Sequence, residues 1–302
     1  MTLDKPSLPA WPRITYGNKN PLKRATEQIH RAAQFVSMTG KHYCVIQGDD
    51  SQTNMFWDKK HRLLVGRPIE GDFNFRLGVH PETLSLKVVS EDDDILSELS
   101  LNGRLKSEVE NWWRGKIKEY GLDESIFNLD LHYDIPSHPT DQGVPFQLID
   151  QQAFKAFADL RQGAHSLLAQ VVSYFEDETG LATWPHHFDV GSYLVLERDK
   201  EGKMTKAISV GMAIHDQHVD EPYFYVNPWR KEGEIRTEFF QETVEGANWQ
   251  TGDWTGSILP LSAIVGMESA KKQQQLVLEF IGKSLDQAIS ALETDSKKWQ
   301  DR

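Results

Sequence analysis

Apolar positions recur along this chain at two periods, three to four residues in four long segments and two residues in several shorter ones. Residues 25–38 set Ile29, Ala32, Ala33 and Val36 on one helical face, with Gly40 as the expected stop. Residues 105–120 do the same with Leu105, Val109, Trp112, Trp113 and Ile117, ending at Gly121. A long helix is predicted over 151–178, carrying Phe154, Phe157, Leu160, Leu167, Val171 and Phe175, and a closing helix from about 263 to 292. Between these segments the period falls to two. Short strands are predicted at 43–47, 54–57, 63–66, 128–133 and 223–226. Phe73, Phe75, Leu77 and Val79 alternate with polar neighbours, the chain turns through 80–83, and Leu84, Leu86 and Val88 alternate back as an antiparallel hairpin. Helix, meander and helix occur twice in order. The expected fold is therefore α+β, two related halves that each pack an antiparallel β-meander against helices. An N-terminal arm over 1–21, rich in proline and packed through Trp11 and Tyr16, precedes a first half over 22–145. The second half covers 146–302, and the Pro/Gly-rich stretch before it marks the boundary.

A further hairpin concentrates the chemistry. Trp184-Pro185-His186-His187-Phe188-Asp189 opens one alternating run, and His215-Asp216-Gln217-His218-Val219-Asp220-Glu221 closes the next, with the charged turn 199–203 between them. Apolar faces coincide only if Val190 opposes Met212 or a residue two places from it, because a one-residue slip buries Asp189 and Tyr193 among apolar groups; a five-residue closure over 199–203 gives Met212. That register sets His187 across from His215, with Asp189 diagonal to them, over a face of Gly191, Gly211 and Ala213 that a large group can approach. His187, His215 and Asp189 are thus the candidate catalytic residues. Tyr193, His218 and Glu221 are candidate ligand contacts at the same end. Two imidazoles and a carboxylate suit a divalent metal such as zinc, iron, manganese or nickel, which would activate water. Without metal, a histidine held by a carboxylate is a general acid–base near neutral pH. A hydrogen-bonded structural cluster is the third role open to them.

Composition narrows the partners. The chain has 33 Lys+Arg against 45 Asp+Glu, a net charge of −12, and no basic stripe. Such a surface repels phosphate backbones and anionic membranes, so nucleic acid and membrane are excluded as expected partners and a small-molecule ligand is retained. One cysteine, Cys44, rules out an internal disulfide and multi-thiolate metal sites; within Tyr43-Cys44-Val45-Ile46 it is expected to be a small buried hydrophobe. With no apolar run of spanning length and no signal-type leader, a cytoplasmic location is expected.

Two other segments bear on function. Trp249-Gln250-Thr251-Gly252-Asp253-Trp254 interrupts large aromatics with glycine and acid, which fits a loop at a cavity mouth, with Trp249, Trp254 and Asp253 as ligand contacts. Asp130, His132 and Asp134 alternate along one predicted strand as a second ligand set, more simply structural because nothing else in sequence converges on it. Phosphate-loop, dinucleotide and nucleophile-elbow motifs are absent. The runs Trp184-Pro185-His186-His187-Phe188-Asp189, Asp220-Glu221-Pro222-Tyr223-Phe224-Tyr225 and Gly252-Asp253-Trp254-Thr255-Gly256 resemble a family of uncharacterised bacterial proteins, a domain of unknown function. That resemblance implies a soluble bacterial protein and carries no activity. The residues leave open a hydrolase-like enzyme acting on a small polar molecule, metal-dependent or His/Asp acid–base. The alternative is a non-catalytic ligand-binding or protein-interaction module.

Overall fold

The computed structural model describes residues 11–15 and 18–292. Tyr16 and much of the expected N-terminal arm lie outside them. Helix α1 (Lys19–Tyr43) leads into β1 (Phe56–Asp58), β2 (Leu63–Val65), β3 (Ile69–Glu70), β4 (Asn74–His80), β5 (Ser85–Ser90) and β6 (Ile95–Ser100). Helices α2 (Lys106–Glu119) and α3 (Gln151–Val172) follow, then β7 (Ala182–Thr183), β8 (Val190–Arg198), β9 (Met204–Ala213) and β10 (Tyr223–Arg230). Strands β11 (Asn248–Gln250) and β12 (Gly256–Pro260) precede α4 (Leu261–Val265) and α5 (Ala270–Leu292). The fold is α+β, with helices packed on two antiparallel sheets. No helix among the described residues is long and apolar enough to cross a membrane.

Contacts divide the chain into two compact bodies. The first holds the described residues from 14 to 165 together with 182–190; the second holds 11–13, 166–181 and 191–292. The division crosses α3 and returns the short segment 182–190 to the first body, instead of cutting the chain once near 145.

In the first body the sheet order is β1-β2-β4-β5-β6, with β3 paired to β4. Phe75, Leu77 and Val79 of β4 and Leu84, Leu86 and Val88 at β5 are buried, as their alternation demands. α1 packs against β4 and is buried almost all round from Gln28 to Gly40. That burial includes polar side chains, His30, Arg31, Gln34, Ser37 and Thr39, which must therefore find partners.

Several expectations change here. α1 runs through Gly40 to Tyr43, so the strand expected at 43–47 does not form. Glycine is required at position 40 for a different reason: a Cβ there would lie 2.2 Å from the Gln52 carbonyl oxygen. Val45 and Ile46 are 81% and 79% exposed, and Cys44 is half-buried, not buried. β-branched residues favour strands only where a neighbour packs on them, and this loop has none. The strand expected at 128–133 is a loop, in which the Asn128 side chain accepts the Asp130 N–H at 3.0 Å and competes with any ladder. β6 was not expected; it is an edge strand whose Ile95 and Leu96 are about as exposed as each other, so no alternation marks it. α3 ends at Val172, and the closing helix is broken near Gly266 into α4 and α5.

In the second body β11-β12-β10-β9-β8 lie side by side, and α5 packs against β9, β10 and β12. The β8–β9 turn closes through Asp199–Lys203 as expected: the Asp199 N–H donates to the Lys203 carbonyl at 2.9 Å, and Asp199 Oδ1 accepts the Lys203 N–H at 2.9 Å. Trp11 is fixed by a 3.2 Å hydrogen bond from its Nε1 to Gln273 Oε1 and by contact with Phe224.

Candidate functional site

The β8–β9 ladder stops short of the expected histidine pair. β8 begins at Val190 and β9 ends at Ala213, so neither His187 nor His215 occupies a strand. The chain before β8 is instead a turn. The Phe188 N–H donates to the Trp184 carbonyl at 2.7 Å, the Trp184 N–H to the Asp189 carbonyl at 3.1 Å, and Phe188 takes a left-handed φ of 54°. The turn, not the pleat, aims the side chains of residues 186–189.

This turn is clamped by polar side chains of two helices. His30 of α1 donates from Nε2 to the Pro185 carbonyl at 2.7 Å, which assigns the proton to that nitrogen because a carbonyl only accepts. Gln34, one turn on, donates to the same carbonyl at 3.1 Å. Arg161 of α3, 1% exposed, donates to the Phe188 carbonyl. Phe188 is sandwiched: the His30 ring stacks on it at 4.6 Å, the Phe157 ring lies parallel to it at 5.9 Å, and the Arg161 guanidinium sits 4.8 Å from its centre.

Around the clamp, aromatic and imidazole rings form a continuous cluster within the first body. Tyr133 donates its hydroxyl to Gln34 Oε1 at 2.7 Å and accepts from Ser37 at 2.9 Å, so a relay of hydrogen bonds ties it to the Pro185 carbonyl. Burial pushes the Tyr133 phenol well above its usual range, and it stays protonated. The His186 ring lies 5.8 Å from Tyr133, 6.1 Å from Trp184 and 4.3 Å from His187. The His132 ring also packs on Tyr133, at 4.8 Å, and its Nε2 is 2.6 Å from Asp50 Oδ2. Burial, and then the His187 ring beside it, lower the pKa of His186, while the charges of Asp189 and Asp50 oppose the shift. His186 is therefore a neutral imidazole at pH 7.

Of the proposed catalytic and metal set, His187 and Asp189 lie on this turn in the first body, whereas His215 follows β9 in the second. Among the described residues no three His, Cys, Asp or Glu side chains are grouped to hold a metal ion. His218 and Trp254 do meet, with ring centres 5.0 Å apart, beside a cluster of Ala213, Tyr223, Tyr225 and Ile258. The small-residue face is filled from within the chain: a Cβ on Gly191 would lie 2.6 Å from the Tyr225 hydroxyl. Trp254 covers Gly256 in the same way, and Trp249 stacks on Phe240 at 3.8 Å while donating to Gln287 Oε1 at 2.9 Å. Glu221 accepts the Ser262 N–H at 2.7 Å at the start of α4. Asp253 and Tyr193 are exposed.

No family model, curated protein sequence or solved structure matches this chain. Function must come from the chemistry of the site.

Three residues of the cluster were missed from sequence as site members: His186, Tyr133 and Asp50. The alternation Asp130, His132, Asp134 pointed to the right segment, but the carboxylate beside His132 comes from a loop 82 residues away. No local pattern announces that pairing.

Proposed function

We propose that the first body carries a metal-independent acid–base site of the hydrolase type for a small polar molecule, built on His186 and His132. The supporting observation is that two imidazoles in unlike settings contact one tyrosine held by hydrogen bonds. His186 is half-buried among rings and unprotonated at neutral pH. His132 is at the surface and oriented by Asp50. His186 is suited to accept a proton from water attacking a carbonyl or phosphoryl centre. His132, its Nε2 engaged by Asp50, presents Nδ1 as the donor to a leaving group when the ring is protonated. Tyr133 positions both rings, because its hydroxyl is held by Ser37 and Gln34.

The test is hydrolysis of p-nitrophenyl acetate and p-nitrophenyl phosphate, compared with equimolar free imidazole. A rate above that background is expected on at least one probe, reduced roughly 10²-fold by His186→Gln or His132→Gln in folded protein. Its acidic limb should fall below pH ~6.5, because the pKa of His186 is lowered from the ordinary histidine value. Rates equal to free imidazole on both probes, or indifferent to both substitutions, would refute the assignment.

A further inference from the structure

Outside the histidine cluster, the first body holds a cavity of about 420 Å³ between the end of α1, the loop after it and β3, within the range that small-molecule sites occupy. Tyr43, Val45 and Pro68 give its wall apolar surface. Two charges of opposite sign, Arg67 and Glu70, also line it. Arg67 is held from two directions: its Nε donates to the Ser51 carbonyl at 3.0 Å, and its guanidinium carbon lies 5.2 Å from the centre of the Phe56 ring. Among the described residues no side chain pairs with its terminal nitrogens, and none pairs with the Glu70 carboxylate. Glu70 is held by its backbone, opposite Asn74 on β4. The two charges share one cavity and form no ion pair with each other. Burial pushes the Cys44 thiol up, against the opposing effect of Arg67, so this wall is a neutral thiol, and the cavity is fitted for binding and not for nucleophilic attack.

We propose that this cavity binds a small zwitterion of the α-amino-acid class, with its carboxylate on the Arg67 fork, its ammonium on Glu70 and an apolar side chain against Val45 and Pro68. A preorganised guanidinium takes a planar carboxylate through two parallel hydrogen bonds, an arrangement that loses little rotamer freedom on binding. A ligand with only one charge leaves the opposite wall charge to be desolvated without compensation. The proposal is independent of the acid–base site: it concerns other side chains and is read by binding alone.

The experiment is ligand-observed NMR and calorimetry on the full chain with L-leucine, isovalerate and isoamylamine as probes. L-Leucine is expected to bind, and each single-charge probe to bind at least about tenfold more weakly. Arg67→Gln and Glu70→Gln should each weaken L-leucine about tenfold or more. If Arg67→Gln disturbs the loop through Ser51, Glu70→Gln, on an exposed strand residue, carries the test alone. No L-leucine binding at about 10 mM, isovalerate binding as tightly as L-leucine, or affinity untouched by Glu70→Gln would each overturn the proposal.

Discussion

The turn at 184–189 and the turn at 215–221 are both dense in histidine and acid, and their polar atoms are engaged differently. In the second, the acids fold the turn. Asp216 Oδ1 accepts the N–H groups of His218 at 2.8 Å and Val219 at 3.2 Å, its Oδ2 accepts the Tyr223 hydroxyl at 2.7 Å, and Glu221 receives the Ser262 N–H. The two bonds from Asp216 Oδ1 are local and Asx-type, and together with the other two they stabilise the backbone and occupy the carboxylates. In the first, helices supply the bonds. His30, Gln34 and Arg161 reach in to hold the carbonyls of Pro185 and Phe188, and the His186 ring faces Tyr133 and Trp184. A polar cluster becomes a candidate for chemistry when something other than its own functional atoms holds it in place.

Replacing the centre of the clamp should break this contrast most severely. Phe188→Ala removes a fully buried ring stacked on His30 and Phe157, and a loss of about 3–5 kcal/mol is expected in urea unfolding. A loss under about 1 kcal/mol would show that the ring sandwich does not hold the turn.

Acidification should act next, on the body that carries the first turn. Burial, then the charge of Lys59, lowers His165 to about 4, and burial, then Lys87, lowers His80 to about 4. The sign follows from the order of the two pKa values. The unfolded chain takes up the proton near pH 6.5 and the folded one only near 4, so stability is fully present above about 6.5 and declines as pH falls towards 4. For His165, which also has a buried Nδ1 without a partner among the described residues, the loss is on the order of 2 kcal/mol. His165→Gln should flatten the dependence of the urea midpoint between pH 7 and 4.5; an equally steep dependence in that variant would assign it elsewhere.

The smallest effect belongs to the self-contained turn. Tyr223→Phe removes the bond to Asp216 and should cost about 1 kcal/mol, leaving hydrolysis of p-nitrophenyl acetate unchanged. A tenfold fall in that rate, with the fold intact, would place the second turn in the chemistry and erase the contrast.

Much of the scaffold was legible in the residues. The buried faces of α1 and α2, Ile29 with Val36 and Val109 with Trp113 and Ile117, follow from helical period, and the β4–β5 hairpin follows from alternation. The closure of the next hairpin at Asp199 was legible too, because turn residues and apolar faces fix register over a few positions. Where that ladder would stop was not legible. An apolar-alternating run continues on paper through Phe188, and only the helical clamp and the left-handed φ at that residue turn the chain away.

By itself the sequence determined an α+β chain of net acidic charge with a histidine-rich segment beside a hairpin, since period, charge and composition are local properties of the residues. Tertiary structure alone decided which imidazoles meet. Ser37 reaches Tyr133 across 96 positions, His30 reaches Pro185 across 155, and His132 meets Asp50 across 82. Such pairings depend on how buried helices must satisfy their own polar groups once the core has closed, and no spacing along the chain encodes that.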